Sequence, residues 1–355
     1  MTKKSIGKVF SRIGFALVTV LLVGSLLQIA AVGMVSLVPG GADWYAKSSF
    51  GMMIVTFVPL YLIAFPLGFL LLRKLPRGQR GKENWKKRTL ASYGIMCLPI
   101  MYLGNIIGTF LSMILSGGNA TNAIEELLSG NIVIEIIFLV ILAPLFEEFL
   151  FRKMIIDRTL CFGEKTAVLF SALTFGLFHG NLFQFFYTFG VGFIWAYVYV
   201  KTQKFSYPYI LHAVFNFIGG IVPSLLMKNL GADNIAALEN MDFNKITEHK
   251  GVIAVYGLYS MVLILLSVTG CVLLLRNRKN FVFEKVQIRA KNDRKDQSED
   301  RKDEGETEEI EEEKIGAEEE KEEYIKIGWK LIWINPGMIV FSVLILFTFI
   351  AMLLA

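Results

Sequence analysis

Long apolar runs separated by short polar ones dominate the chain, and the pattern predicts helices rather than strands. The runs fall at 5–34, 50–72, 90–115, from 131 onward, 166–180, 185–199, 207–222, 251–275 and from 332 to the C-terminus. A run of ~20 apolar residues, rising ~1.5 Å per residue, is what ~30 Å of hydrocarbon requires. The runs at 166–180, 185–199 and 207–222 are short for that thickness, so tilt, local thinning or a partly re-entrant path is expected. The first run follows Lys3, Lys4, Lys8 and Arg12 and has no clear small-residue cleavage site after it. It is therefore expected to be retained as a first helix rather than removed as a signal peptide. The fold class predicted is an all-α polytopic membrane protein, a bundle of about nine transmembrane helices.

Composition agrees: 54% of the 355 residues are hydrophobic, with 29 Phe and 13 Met, and the mean hydropathy is +0.53. The net charge of +5 conceals an uneven distribution, because residues 291–323 carry a local charge of −10 and the remainder +15. The basic residues border apolar runs, most clearly in RKLPRGQRGKENWKKR at 73–88, so they specify topology and do not suggest nucleic-acid binding. With the N-terminus cytoplasmic, alternate crossings place on that same side the 73–88 loop, the turn with Arg158 and Lys165, the turn with Lys201 and Lys204, and the 276–330 tract. The 223–250 loop and the C-terminus then fall outside. The 291–323 tract has too few apolar positions to bury and is expected to be a solvated linker or charge-laced helix, with docking to a basic partner as the alternative. Asn119-Ala120-Thr121 fits a glycosylation sequon formally. Cys97, Cys161 and Cys271 have neither disulfide nor metal-like spacing.

Candidate chemistry lies in the middle of the chain, where ionisable groups inside membrane sequence are costly unless they face each other or a wet cavity. Pro144 precedes Glu147 and Glu148 and frees a helix carbonyl, which helps polar groups turn inward. Glu148 and Arg152, four apart, share a helix face, while Glu147 is rotated by about 100° toward a neighbour. One carboxylate is thus held by arginine and the other left free, although an ion-pair ladder with Asp157 and Arg158 would use the same spacing. Phe175 and His179 follow at the same interval, and a turn near Gly163 brings His179 to the depth of Glu148. His212 and Asn216 form the third pair, at a depth that counting from Lys204 makes shallower than the others. A packed histidine and an interhelical His–Asn hydrogen bond are the bland alternatives. His249, beside Glu248, is expected at the surface. Together the carboxylates, imidazoles and carboxamide can hold and activate a water. Glu147, His179 and His212 are also a candidate zinc (Zn2+) set, without the H-E-x-x-H spacing of soluble metalloproteases; metal-dependent and metal-free water activation both stay open.

Glu147-Glu148…Arg152, Phe175…His179 and His212…Asn216, in that order, resemble the E-E-x-x-x-R, F-x-x-x-H and H-x-x-x-N pattern of the CAAX protease and bacteriocin-processing (CPBP, or Abi) family of intramembrane proteases. The resemblance covers about 131–220 and implies a CPBP-like core. It implies that Glu147 activates water, that His179, His212 and Asn216 complete the site, and that Glu148 and Arg152 support it. The apolar and charged runs divide the chain into N-terminal helices 1–3 at 1–125, that core at 126–225, a polar loop and eighth helix at 226–275, a charged linker at 276–330 and a last helix at 331–355, the acidic tract and last helix lying outside what the resemblance leads one to expect. The expected function is an intramembrane endopeptidase in the cell membrane acting on a protein or peptide substrate. The alternative is a non-proteolytic scaffold that binds a membrane or cell-wall protein partner. A transporter is disfavoured, since no inverted pair of interrupted spans is visible.

Overall fold

In a computed structural model of the chain, residues 2–78, 81–120, 128, 130–231, 234–235, 250–284, 286, 288 and 325–354 are described. The sequon's Thr121, His249 and the 291–323 acidic tract lie outside them. The described residues form helices: α1 (Lys3–Ser36), the short α2 (Gly41–Lys47), α3 (Ser49–Leu72), α4 (Lys87–Leu115), α5 (132–159), α6 (Glu164–Phe178), α7 (Leu182–Thr202), α8 (Ser206–Leu230), α9 (Lys250–Asn277), the short α10 (Trp329–Trp333) and α11 (Pro336–Leu354). Seven of them, α1, α3, α4, α7, α8, α9 and α11, are long and apolar enough to cross a membrane, which makes this a multi-pass membrane protein. The other two expected spans are helical but differ in kind. α5 carries seven ionisable residues from Glu135 to Arg158, and α6 has 15 residues.

Two of the three spans expected to be short are not short. α7 runs 21 residues and α8 runs 25, because each helix continues past its apolar window through polar ends. Lys201 at the end of α7 is neutralised by Glu164 at 3.0 Å, and α8 extends through Pro223 to Lys228, whose ammonium pairs with buried Glu135 at 2.9 Å.

Proline shapes α3, α5 and α8 by a shared device. Each contains a π-helical turn closed by an i→i−5 bond just before a proline: Phe65 N–H to Leu60 O before Pro66, Ala143 N–H to Phe138 O before Pro144, and Val222 N–H to Phe217 O before Pro223. In that register the next bond would need the proline's missing N–H, so the carbonyl five residues earlier loses its partner. Side chains from other helices supply the donor in two cases. Asn216 Nδ2 donates to Leu139 O at 2.8 Å, and Tyr259 Oη donates to Ile218 O.

α7 is the centre of the bundle, packed between α4 and α6. Its contact with α4 is close because Gly104 and Gly108 present bare backbone: a Cβ at Gly108 would sit 2.4 Å from Leu182 O, and one at Gly104 2.6 Å from Tyr187 Cα. Small residues permit such approach where lipid offers no hydrophobic drive to association. α1 packs on α3 and on α11, and α8 leans on α5 and α7. One end of the bundle gathers the loops that sequence placed on a common side. Gly78 N–H donates to Asp157 O, Glu83 N–H to Lys201 O, Glu284 N–H to Glu164 Oε2, and Tyr197 Oη to Asn280 O. Arg158 caps the end of α3 by donating to Leu72 O at 2.6 Å. The cysteines are free, and burial pushes the Cys161 thiol above the ordinary range, the opposite of what a reactive thiol needs.

Candidate functional site

The site begins with two adjacent glutamates at the end of one α-helical stretch of α5, directly after the turn that Pro144 opens. Glu148 points into the bundle and is fully committed. Arg152 Nε lies 2.8 Å from its Oε2 as an ion pair, and Arg152 Nη2 donates to its Oε1 at 3.2 Å, with both side chains 0% exposed. His212 Nδ1–H donates to the same Oε1 at 3.0 Å. Arg152 is itself held from α6: Nη1 donates to Ser171 Oγ at 3.0 Å, Ser171 Oγ–H donates to Phe151 O at 2.9 Å, and the guanidinium lies 4.7 Å from the centre of the Phe175 ring. A buried charge is tolerable only with such complete pairing.

Glu147 has a different environment. It is 15% exposed and, among the described residues, faces no arginine or lysine in its contacts: Tyr61 Oη–H donates to Oε1 at 3.0 Å, and Oε2 lies 3.8 Å from His212 Nε2. The two imidazoles are oriented alike. Nδ1–H of His212 is spent on Glu148, and Nδ1 of His179 donates to Phe175 O at 2.9 Å because a carbonyl can only accept. In both rings Nε2 is the nitrogen left for other partners.

Aromatic packing sets the ring positions. Trp195 of α7 stacks on His212 with centroids 4.6 Å apart, while Phe175 meets His212 edge-on at 5.8 Å and His179 at 5.0 Å. The Phe175 ring therefore touches Arg152, His179 and His212. His179 caps α6, and Asn181 secures the turn after it: Nδ2 donates to His179 O at 2.9 Å and Oδ1 accepts from Gln184 N–H at 2.9 Å.

Glu147, Glu148, Arg152 and His212 are thus joined by direct contacts or near approach, with His179 linked through Phe175 and within electrostatic reach of Glu147 and His212. The expected depth mismatch of His212 disappears because the turn after α7 folds inward. Phe205 packs on Phe149, the residue after Glu148, so α8 starts well inside the end marked by Lys201 and Glu164. Asn216 is the outlier. Its amide turns away from the glutamates to the Leu139 carbonyl. Among the described residues no group of three or more His, Cys, Asp or Glu side chains is arranged to hold a metal ion.

Motif reading missed Tyr61, Ser171 and Trp195. Ser171 sits one turn before Phe175 on the same face, a usable sign. Tyr61 offered only a phenol in the middle of an apolar run between Pro59 and Pro66, and Trp195 offered none.

Comparison with known proteins addresses the same region. Residues 129–218 match the family model described as type II CAAX prenyl endopeptidase Rce1-like. The membrane-embedded CAAX protease MroQ of Staphylococcus aureus (strain USA300) is 33% identical over 129 residues, covering 33% of this chain and 51% of MroQ. The chain spans about half the length of that curated relative. No solved structure matches it significantly. The stretch at 129–218, which supplies both glutamates, Arg152 and both histidines, is thus similar to the CAAX protease, Rce1-like (CPBP/Abi) family.

Proposed function

We propose that the protein is an intramembrane endopeptidase in which Glu147 activates a water to hydrolyse a peptide bond of a membrane-associated protein or peptide. The observation that carries this reading is the division of labour between neighbouring carboxylates: Glu148 is bound to Arg152 and His212, whereas Glu147 has a free oxygen facing His212 Nε2 across 3.8 Å. That gap exceeds a direct hydrogen bond and suits a water touching both groups. Glu147 takes one proton from this water as its oxygen bonds to the substrate's carbonyl carbon, and His212 Nε2 accepts the second hydrogen as a hydrogen bond. The C–O double bond becomes an oxyanion. Collapse re-forms the carbonyl and breaks the C–N bond, and Glu147 returns its proton to the leaving amine. Glu148 and Arg152 hold His212 in place. Asn216 acts on position, by bonding the carbonyl freed just before the glutamates.

This reading takes α5 and α6 as crossing helices too, which makes nine crossings. It also takes the end that gathers the 73–86 loop, Lys201 and Glu284 as cytoplasmic, on the strength of its basic residues.

The test is a comparison of new protein N-termini in membranes expressing the wild type or Glu147→Gln, read by terminal-amine labelling. Termini made by the wild type and absent from the variant are expected; identical sets would sink the proposal. A quenched peptide with a prenylated cysteine followed by three residues then separates CAAX-type cleavage from another peptide specificity. A scaffold role is favoured by α11, which lies outside the family-matched residues and packs on α1 with Gly337 N–H donating to Ser11 Oγ at 3.0 Å. It predicts a partner that co-purifies equally with wild type and Glu147→Gln.

A further inference from the structure

Tyr61 reaches the glutamates from α3, a helix outside the family-matched 129–218 and 86 residues away in sequence. Its approach is built rather than incidental. The residue sits in the π-helical stretch Val58–Ala64, whose register is bounded by Pro59 and by Pro66 immediately after Phe65. A π turn carries more residues per turn than an α-helix, so side chains within it sit at other angles than in an α-helix, and here Tyr61 faces Glu147 of α5. The ring is 5% exposed and enclosed by three others: Phe57 stacks on it at 5.3 Å and 15°, Phe65 lies at 5.0 Å and Phe146, beside Glu147, at 5.1 Å. Such a cage leaves the phenol little rotational freedom, and its hydroxyl ends 3.0 Å from Glu147 Oε1.

A carboxylate has two equivalent oxygens and turns about its terminal bond unless something distinguishes them. Here one oxygen accepts from Tyr61 and the other lies toward His212 Nε2. We infer that Tyr61 is a positioning residue for the proposed hydrolysis: it anchors Oε1 of Glu147, fixes the carboxylate plane and thereby assigns Oε2 as the oxygen that takes the proton from water. The inference rests on the hydrolytic reading for its consequence and on the hydroxyl–carboxylate contact for its existence, and the two are separable by experiment.

Tyr61→Phe keeps the ring and its cage and removes only the donor. In the full-length protein in liposomes, infrared spectra of the wild type minus Glu147→Gln isolate the carboxylate bands of Glu147. In Tyr61→Phe those bands should move, because one oxygen has lost its donor; unmoved bands would overturn the contact. For turnover, using a substrate found by the N-terminus comparison or the quenched prenyl peptide, kcat should fall about ten- to a hundredfold with KM unchanged, the size expected for losing a hydrogen bond to a charged group. Moved bands with unchanged kcat in an active enzyme would overturn the positioning role. Cleavage that survives Glu147→Gln would instead sink the hydrolytic reading, while the band result still decides the Tyr61 contact.

Discussion

Glu147 and Glu148 are neighbours in sequence but answer to different forces. The Glu148–Arg152 pair is wholly buried, so each charge is stabilised by the other and by His212 and Ser171 rather than by solvent. Removing one member leaves the other charge uncompensated, which costs about 3–5 kcal/mol when the pair is buried. Arg152→Gln should therefore lower thermal stability in detergent sharply, as read by a shift in unfolding temperature. Glu147→Gln should shift it little, because its contacts are a tyrosine hydroxyl and a distant imidazole nitrogen. The same variant should abolish cleavage, so stability should respond to the Glu148–Arg152 pair and activity to Glu147. His212 lies between them. His212→Phe keeps an aromatic ring against Trp195 but removes the donor to Glu148, and it should reduce turnover while the protein remains folded.

Helices α5 and α8 depend on each other through proline. The π turn before Pro144 leaves Leu139 O without an N–H, and Asn216 from α8 provides one. Asn216→Leu should cost about 1–3 kcal/mol, the penalty for a buried acceptor left unsatisfied. Pro144→Ala restores an N–H that can serve the same carbonyl within α5, so Asn216→Leu should cost less in that background. Non-additivity in a double-mutant cycle of thermal unfolding would verify this coupling, and strict additivity would refute it. The spacing His212…Asn216 reads naturally as one catalytic face, yet the two residues divide their roles, one serving the carboxylates and the other the helix backbone beside them. Sequence could show that Pro144 frees a carbonyl; it could not show which side chain, 77 residues away, would answer it.

The bundle as a unit holds three separate chain regions in register around Glu147: α3 brings Tyr61, α5 the glutamates, and α6 to α8 the imidazoles and Trp195. That register relies on α7 packing closely against α4. Gly108→Leu puts a side chain where Leu182 O already lies, 2.4 Å from the new Cβ, and must push the helices apart. It should reduce both stability and turnover, measured by detergent unfolding and by cleavage, whereas a leucine at Gly257, which has open space around it, should change neither.

The linear order of residues was enough to establish an all-helical membrane protein, the motif pairs and the separation of a committed from a free glutamate, since helix periodicity and apolar run length are local properties. The 163 turn and the common end of the basic loops were also legible, from glycine placement and charge. Helix lengths were not, because Lys201 and Lys228 continue as helix only once Glu164 and Glu135 neutralise them from other helices. Nor were Tyr61, the inward turn at Phe205 and the destination of the Asn216 amide, which follow from contacts between distant segments. Those contacts form because a buried carboxylate, a freed carbonyl and a bare glycine backbone must each be matched across the bundle, and only its three-dimensional packing brings the matching group within reach.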